Sequence, residues 1–581
     1  MTYRYIALVD ATGRWRLPNA ERLDASLRRL GLHPMLVSGS VKVFAAASTS
    51  CQLLSDDSVV IGPVFPRDSW RPGIEPTRQS GALAWRETCQ QLLDRYWGDY
   101  LLIQAASNGT ASVNLMRDPS GGMPCYYAMS EGVGFVTSDI SLAIELGLYR
   151  RRIDWESIAH CLSYPRIKTR ATALRDVSEL LPGCSLHVAP STVTTNQEWT
   201  PWTFVAKGRR FADLDDAALA VRGAVTSVVA AWASIDDAIL MELSGGLDSS
   251  IVAACLAGVN ERVTCCNVVA PVPGGDERQY ATQLAARLGL SLETEHLSLD
   301  AECVDFDQPA SAVSPRMGVL QHAVAQVMES VGQRNGASSY YSGGGGDTVF
   351  CYLTGATPAA DAVRERGVRA GLAAIKDLTT LHQCTLWKAA RLTMRKLVRP
   401  VRPPSTPDTL FLNPSAAITA VGEHPWFNAP RDALAGDRER IFDLAGNQLF
   451  RDIVFRGQNR SIRLPLLSQP VVEACLAVPS WMWISGGRNR SVARAAFEDV
   501  LPPDVLNRRS KGTFVAYLGA LFRRNKDQIR TRLLSGQLRE QRFLDADALK
   551  RFFESEPPPR DQTFTRVLAL LTVENWLRHQ A

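Results

Sequence analysis

The sequence predicts an α/β protein with two parts, and three patterns along the chain support this prediction. Short strand-like segments separated by Gly, Asp, Asn and Ser occupy the first third of the chain. From Phe211 onward, strands alternate with helices, which is the pattern of a parallel sheet wound by right-handed crossovers. Beyond Cys351 the pattern is mainly helical. We therefore divide the chain into residues 1–205 and residues 206–581.

The N-terminal part, residues 1–205, is predicted to be rich in strands. Each of its strand-like segments is short, apolar and bounded by turn-forming residues: RYIALVD, VKVFAAA, DYLLIQAA, ASVNLMRD and EGVGFVTSD. The turn LLPG and the strand CSLHVAP follow. Residues 194–204 (TTNQEWTPWTF) are expected to be a linker to the second part.

The second part is predicted to begin with a helix that has an acidic first turn, FADLDDAALAVRGAVTSVVAAWAS. Strands and helices then alternate in this order: AILMEL, SIVAACLAGV, VTCCNVVAPV, DERQYATQLAARLG, LETEHLSL, GVLQHAVAQVMESVGQRNG and SSYYSG. Such alternation indicates a parallel sheet. A basic, Pro-rich stretch at residues 395–409 is expected to be an exposed loop, although it could also steer an acidic peptide.

Composition narrows the class of protein. The chain has 581 residues, 46% of them hydrophobic and 21% charged, which excludes disordered and fibrous classes. A net charge of +5 is too small to indicate a nucleic-acid-binding surface. The N-terminus does not read as a signal peptide, and no uninterrupted apolar run is long enough for a membrane span. The 12 cysteines form no C-x-x-C pair, so we expect reduced core thiols in a cytoplasmic protein.

The most informative motif is Ser244-Gly245-Gly246-Leu247-Asp248-Ser249-Ser250, between a buried strand and a helix. Two glycines allow a phosphate group to approach the backbone, and the start of the next helix favours an anion. Asp248 would repel that phosphate unless Mg²⁺ lay between them, which predicts a metal-bridged nucleotide. The alternative is an ordinary Gly/Ser turn in which the aspartate caps a helix.

A second motif, Ser342-Gly343-Gly344-Gly345-Gly346-Asp347, follows a later strand of the same predicted sheet. Four consecutive glycines cost conformational entropy, so we interpret them as room for a ligand against the backbone. Asp248 and Asp347 are then expected on neighbouring strand ends, where they would share Mg²⁺. The alternative for this motif alone is a flexible glycine loop.

Together the two motifs resemble the PP-loop ATP pyrophosphatase domain of the asparagine synthetase family, in which ATP is cleaved to AMP and pyrophosphate and a carboxylate becomes an acyl-adenylate. The resemblance implies that ATP is cradled by Ser244, Gly245, Gly246, Asp248, Ser249, Ser250, Ser342 and Gly343, with Leu243 and Val268 or Val269 beside the adenine. Lys511, in the R-x-S-K-G segment, matches the lysine that contacts phosphate and stabilises developing negative charge. Taken alone, Lys511 could equally be a solvated loop residue.

The N-terminal part resembles the glutamine-hydrolysing domain of the same family, on the segments Gly98-Asp99-Tyr100, residues 117–122 (RDPSGG) and residues 179–183 (ELLPG). This resemblance implies an Ntn-type αββα sandwich. The family's nucleophile is a cysteine at the mature N-terminus, whereas this chain begins Met1-Thr2-Tyr3. We therefore expect a glutaminase-like domain without its nucleophile, so that the attacking amine belongs to the substrate itself.

Longer segments resemble the lasso peptide cyclases within this family, namely SGGGGDTVF, LAGNQ, RLPLLSQPVVEACLAVPSWMWISGGRNR and RRSKGTF. The resemblance implies an isopeptide synthetase that closes a macrolactam ring in a precursor core peptide, working with a leader peptidase and a leader-binding protein. Gly344 stands where related synthetases usually have a larger residue, which predicts a more open site. Trp481 and Trp483 are candidates for a peptide pocket, or for the core.

Three alternatives remain open at this stage. The first is a small-molecule ligase, either a β-lactam-type synthetase or an ammonia-dependent asparagine synthetase. The second is PP-loop chemistry on tRNA, although the sequence shows neither a reactive cysteine pair nor a nucleic-acid module. The third is an inactive scaffold, which would not need intact ATP motifs.

Overall fold

The computed structural model describes residues 3–15, 20–74, 84–106, 111–273, 276–398, 405–453, 460–508, 514–555, 558 and 560–580. The strands of its N-terminal part are β1 (Tyr5–Asp10), β2 (Leu32–Val37), β3 (Val41–Ala46), β4 (Cys51–Ser55), β5 (Ser58–Ile61), β6 (Val64–Pro66), β7 (Tyr96–Gly98), β8 (Leu101–Ala105), β9 (Val113–Arg117), β10 (Tyr126–Ser130), β11 (Val133–Thr137), β12 (Ser178–Glu179), β13 (Cys184–Ala189) and β14 (Thr192–Gln197). Its helices are α1 (Ala20–Arg29), α2 (Trp85–Arg95), α3 (Ile140–Glu145) and α4 (Trp155–Ser163).

Two antiparallel sheets form the centre of the N-terminal part, in the orders β12-β10-β11-β1-β3-β2 and β14-β13-β9-β8-β5-β4. In β1, Ala7 and Val9 belong to the core between the sheets, whereas Ile6 and Leu8 pack outward with α1, α3 and α4. Helix α2 covers the other sheet through Cys89 and Leu92. Strand β1 is apolar up to its last residue, Asp10, because both of its faces are buried. The layers are thus helix, sheet, sheet and helix, as expected for the αββα arrangement.

The stretch predicted to be a linker, residues 194–204, is the end of a strand followed by a largely buried crossing. Its first four residues belong to strand β14, and the rest crosses a buried boundary. The Trp199 indole donates to Glu473 Oε1 at 2.9 Å, and the Trp202 indole donates to the Trp426 carbonyl at 3.0 Å. The prediction of a linker was wrong here because its tryptophans pack against remote residues. The division near residue 205 stays a prediction.

The second part contains a parallel five-stranded sheet in the order β17-β16-β15-β18-β19. Its strands are β15 (Ile239–Glu242), β16 (Val263–Val269), β17 (Ser291–His296), β18 (Ser339–Ser342) and β19 (Ser461–Arg463). The helices connecting these strands, and those just before them, are α5 (Leu214–Ala233), α6 (Leu247–Leu256), α7 (Arg278–Leu288), α8 (Val319–Arg334) and α9 (Gly346–Val349). This confirms the predicted parallel sheet.

Helix α5 is long and apolar enough to span a membrane, but half of its apolar stretch is buried inside the fold. Its N-cap residue Asp213 accepts a hydrogen bond from the Asp216 amide at 2.9 Å, in line with the predicted acidic start. Val221, Val225 and Trp232 on α5 lie in the main hydrophobic core. The helix is therefore a core helix of this fold.

The chain beyond Cys351 is mainly helical, as predicted. Its helices are α10 (Thr357–Arg366), α11 (Val368–His382), α12 (Leu386–Val398), α13 (Ala435–Ile453), α14 (Gln469–Leu476), α15 (Ser491–Ala496), α16 (Pro503–Leu506), α17 (Val515–Arg524), α18 (Lys526–Ser535), α19 (Gln537–Glu540), α20 (Ala546–Glu554) and α21 (Phe564–Arg578). The loop predicted from residue 395 begins too early, because α12 continues to Val398. Residues 399–404 of that stretch lie outside the described residues.

Candidate active site

The two glycine-rich loops lie side by side at the carboxyl edge of the parallel sheet. Strand β15 pairs with β18, so the loop after β15 (residues 244–250) adjoins the loop after β18 (residues 342–347). The chain runs outward from β15 to β17 and then returns to β18 on the opposite side of β15. Such a reversal of strand order is where open α/β sheets bind ligands. The predicted juxtaposition of the two motifs is confirmed.

The first loop is held by its own hydroxyl groups. Ser249 Oγ accepts from the Ser244 amide at 3.2 Å and lies 3.0 Å from Ser244 Oγ. Gly245 has φ +71°, and a Cβ there would come within 2.7 Å of Tyr280 Cβ. The N-cap position of α6 is Gly246, which offers no side-chain hydrogen bond to the first turn. The loop thus presents the start of a helix to an anion.

The glycines of the second loop make room for neighbouring protein, which corrects the interpretation that they leave space for a ligand. A Cβ on Gly343 would lie 2.5 Å from the Ser249 amide nitrogen, and one on Gly346 would lie 2.6 Å from Asp248 Cβ. A Cβ on Gly344 would collide with the Phe450 ring. Gly345 has φ +87° and sits against Leu467. The more open site predicted from Gly344 is therefore wrong, because Phe450 occupies that space.

Asp248 and Asp347 lie close enough to share one cation. Arg490 Nη1 is 3.0 Å from Asp248 Oδ1, 3.1 Å from Asp248 Oδ2 and 2.9 Å from Asp347 Oδ1. The positive charge of one guanidinium group thus lies between the two predicted metal ligands. Among the described residues no group of three or more His, Cys, Asp or Glu side chains could hold a metal. Two carboxylates fit Mg²⁺, which binds through one or two carboxylates together with substrate phosphates and water.

Further arginines surround this carboxylate pair. Arg508 donates to the Gly245 carbonyl at 3.2 Å, pairs with Glu277 and lies over the Tyr280 ring. The pKa of Arg494 is lowered to about 10, first by burial and then by the nearby Arg490 and Arg488. A low-dielectric pocket with several cations is suited to a polyphosphate. None of these arginines was predicted, because they come from α15 and from the loops before it and after α16, far from either motif in sequence.

The other residues that are predicted to bind ATP lie in different environments. Ser342 is buried, and its Oγ accepts from the Gly344 amide at 3.2 Å. Leu243 and Ser250 are fully buried. The Leu243 carbonyl accepts from Asn267 Nδ2 at 2.7 Å, which ties β15 to β16. Val268, on β16, is half-buried. Lys511 lies outside the described residues, so its assigned role stays a prediction.

A cavity of about 810 Å³ opens from Asp347 toward the N-terminal part. Its lining combines residues 161–167 with residues from α8, α13 and α21. Arg166, Arg316 and Asp443 are among the charged groups that face it. The pKa of Asp443 is raised to about 6, mainly by burial and then by Glu439, while Arg166 acts to lower it. The cavity therefore adjoins the predicted ATP site at Asp347 and offers both cationic and anionic side chains to a substrate.

The profile of the asparagine synthase family matches residues 220–578, more than half of the chain, and this range contains both glycine-rich loops, Arg490 and most of the cavity lining. The chain belongs to the asparagine synthase family. Members of this family form amide bonds with the use of ATP, so the protein is an ATP-dependent ligase. The resemblance to the asparagine synthetase family is therefore confirmed.

Other comparisons add little to the family assignment. No curated protein matches the chain. Two matching solved structures are described as the allosteric regulatory enzyme of purine biosynthesis and as glutamine phosphoribosylpyrophosphate amidotransferase from B. subtilis with ADP and GMP. Both are 10% identical to this chain and cover 59% of it, with 84% and 75% of their own chains covered and TM-scores of 0.20 and 0.19. These TM-scores are too low to support a fold assignment.

In this asparagine synthase family member, the N-terminal segments noted above build a buried polar cluster. Arg117 donates to Glu179 Oε1 at 2.7 Å, and Asp118 accepts from the Gly121 amide at 2.6 Å. Tyr3 Oη lies 3.2 Å from Asp99 Oδ2 and accepts from Arg463 Nη1 at 2.9 Å. The hydroxyl at the start of the first strand is thus held between the two parts of the chain.

The cysteines behave as core residues, as predicted. All 12 are free, and all but Cys51 and Cys384 are buried. Burial raises the pKa of Cys51 to about 11 and that of Cys125 to about 12. Thiols with such pKa values are almost entirely protonated at neutral pH and are poor nucleophiles. Trp483 is likewise fully buried, which favours a role in the core over a role in a peptide pocket. Trp481 packs at the edge of a smaller core.

Proposed function

We propose that this ligase closes a macrolactam ring in a lasso precursor peptide. The side-chain carboxylate of an Asp or Glu in the core peptide attacks the α-phosphorus of ATP. The bond from that phosphorus to the bridging oxygen breaks, and pyrophosphate leaves. The α-amine of the first core residue then attacks the acyl carbon, the bond to the AMP oxygen breaks, and AMP leaves with that electron pair as the isopeptide bond forms.

The observation that carries this proposal is the cavity of about 810 Å³ beside Asp347. Ligand pockets span roughly 300–1,000 Å³, so this one is at the upper end and suits a substrate larger than a free amino acid. Its walls come from both parts of the chain, and Asp347 connects it with the glycine-rich loops. A carboxylate of a bound peptide would therefore meet ATP at one end while the rest of the peptide occupies the chamber.

The chain's own residues have separate roles in this proposal. The two glycine-rich loops and Arg508 hold the polyphosphate, and Lys511, by resemblance, stabilises the charge that develops on it. Asp248 and Asp347 would hold Mg²⁺, which offsets phosphate charge when it is bound. Asp443 is the carboxylate that we assign to hold the attacking ammonium group and to take its proton. Its high pKa makes it a better proton acceptor than an exposed aspartate.

Positioning supplies most of the rate in this mechanism. Holding the amine next to the activated carbonyl removes much of the entropy cost of ring closure. A peptide that fills the cavity would also keep water from the acyl-adenylate, whose hydrolysis would waste ATP. The amine becomes available only after a leader segment has been removed. The proposal therefore includes a leader peptidase and a leader-binding protein as partners.

The test is incubation of the full chain with ATP, Mg²⁺ and a leaderless core peptide. The expected products are AMP, pyrophosphate and a peptide that has lost the mass of one water molecule. Release of ADP, or AMP release that does not depend on the peptide, would contradict the proposal. If free aspartate with ammonia, or a small β-amino acid, supported AMP release and the peptide did not, the enzyme would be a small-molecule ligase instead.

A further inference from the structure

Helices α11 and α12 carry an exposed face that is both apolar and basic, and neither helix lines the cavity described above. On α12 the exposed apolar side chains are Leu386, Trp387, Met394 and Val398, and the remaining exposed ones are Lys388, Arg391 and Arg395. Trp387 is 85% exposed and Val398 is 75% exposed. Helix α12, which is described throughout, exposes no carboxylate.

The spacing on α12 separates the two kinds of side chain. Trp387, Met394 and Val398 follow helical steps of seven and four residues, which places them in one stripe. Lys388, Arg391 and Arg395 follow steps of three and four residues and flank that stripe on one side. The helix is therefore amphipathic within its exposed half, with a lengthwise apolar edge and a lengthwise basic edge.

Helix α11 also exposes both apolar and basic side chains. Its exposed side chains include the apolar Val368 and Leu372 and the basic Arg369 and Lys376. Within the described part of the chain, no carboxylate forms an ion pair with these two cations or with the three on α12. Asp377, which is partly buried and accepts a hydrogen bond from the Gly487 amide, is the one carboxylate on either helix. The surface of the two helices thus combines an excess of positive charge with projecting apolar groups. We call it the α11–α12 face.

The apolar groups of the α11–α12 face are not needed for packing of the helices themselves. The inner sides of α11 and α12 already pack in a small core that contains Ile375, Leu378, Ala389 and Ile484. Leaving Trp387 and Val398 in water costs hydrophobic free energy, and single exposed apolar residues are common. Six of them on one hairpin, interleaved with cations, indicate a binding surface.

Charge and shape distinguish the possible occupants. A second copy of the chain would place the same five cations against each other, so a symmetric dimer through this face is disfavoured. A protein partner would need deep holes to receive a side chain as exposed as Trp387. A fluid lipid surface needs no such complementarity, and its anionic headgroups match the lysines and arginines.

We propose that the α11–α12 face docks this enzyme on anionic lipid surfaces. The helices lie in the plane of the headgroups, with Trp387, Met394 and Val398 inserted at the acyl boundary and the flanking cations on the headgroups. This association is peripheral and reversible, and it is separate from the cavity and from the ATP site.

The test is flotation of the full chain with vesicles of phosphatidylcholine alone and of phosphatidylcholine mixed equally with phosphatidylglycerol. We expect roughly tenfold or greater enrichment on the anionic vesicles, weakening as salt is raised. The triple variant K388E/R391E/R395E should abolish it. The matched control R28E/R150E/R523E, which makes the same charge change at exposed arginines elsewhere, should keep much more of it. Trp387→Ser, a change at a surface site that cannot disturb the core, should reduce it several-fold.

Three results would overturn the proposal. One is absence of binding to anionic vesicles, and another is equal binding to both kinds of vesicle. The third is binding that the α12 variants leave unchanged. If the chain ignored vesicles but bound immobilised poly-glutamate through Lys388, Arg391 and Arg395, the face would recognise an acidic protein and not a lipid.

Discussion

Arg490 joins two carboxylates that are distant in the sequence, and this contact sets the residue-scale chemistry of the site. Its guanidinium lies between Asp248 and Asp347, where a divalent ion would otherwise balance the two negative charges. The sequence predicted the two aspartates from their motifs. It could not predict the arginine, because Arg490 follows an irregular loop and has a left-handed backbone with φ 53°.

Asp347→Asn should slow adenylation strongly while leaving the fold intact. The Asp347 side chain is 44% exposed, so neutralising it removes little burial energy, whereas Asp248 is held in a nearly buried pair with Arg490. We expect the rate of peptide-dependent AMP release to fall by about a hundredfold or more, because charge stabilisation of this kind is worth several kcal/mol. Thermal unfolding should change little. The control Asp300→Asn, at an exposed ion pair, should keep full activity.

Asp443 should give the reaction an acidic pH limb. Burial raises its pKa to about 6, so the carboxylate that accepts the amine proton is lost as the pH falls through that value. The rate of ring closure should then decrease about tenfold per pH unit below 6. Asp443→Asn should be slow and lack this limb. If the rate of the variant fell with pH in the same way, the titrating group would be a residue other than Asp443.

The glycines at 343 and 344 should respond differently to a methyl group. A Cβ at 343 meets the backbone of Ser249, which cannot move without displacing the first loop. Gly343→Ala should therefore cost about 1–3 kcal/mol of stability and weaken ATP binding. At 344 the obstacle is the ring of Phe450, so Gly344→Ala should be milder and Phe450→Leu should restore it. Calorimetric unfolding and ATP titration of the three variants measure this, and equal effects at both sites would contradict it.

At the scale of elements, strands with two buried faces were the most predictable. Strands β1, β15 and β16 are largely apolar, and the parallel pairing of β15 with β16 followed from the alternation of strands with helices. The positions of helices α1, α2, α3 and α4 were not predicted within the part expected to be strand-rich, although the αββα resemblance implied helical layers. The four glycines were misread because the residues that fill their space come from elsewhere in the sequence: the first glycine-rich loop at Gly343 and Gly346, Phe450 at Gly344 and Leu467 at Gly345.

The buried crossing at residues 198–204 should be a structural element and not a tether. Trp202→Ala removes a buried indole and its hydrogen bond to Trp426, so the free energy of unfolding should fall by about 3 kcal/mol. Trp70→Ala, at a tryptophan that is 58% exposed, should change it by a few tenths. Denaturant unfolding of both variants measures the difference. Equal small effects would mean that the crossing is a loose linker after all.

At the scale of the whole molecule, buried polar contacts connect the N-terminal part with the ligase part. Arg463, on β19, contacts both Tyr3 and Asp236, and Lys168 forms ion pairs with Glu179 and Asp452. The cavity lies across the same boundary. Composition and motifs indicated two parts and an ATP site. They could not indicate a shared chamber, since it is lined by segments that are hundreds of residues apart.

The central claim is that a carboxylate of a peptide becomes an acyl-adenylate in this chamber. The most direct measurement uses a leaderless core peptide whose acceptor side-chain carboxylate carries heavy oxygen. After ring closure, mass spectrometry of the nucleotide should find one labelled oxygen in AMP, because the oxygen that attacks the α-phosphorus leaves with it. Label in inorganic phosphate, or unlabelled AMP alongside a closed ring, would contradict the account.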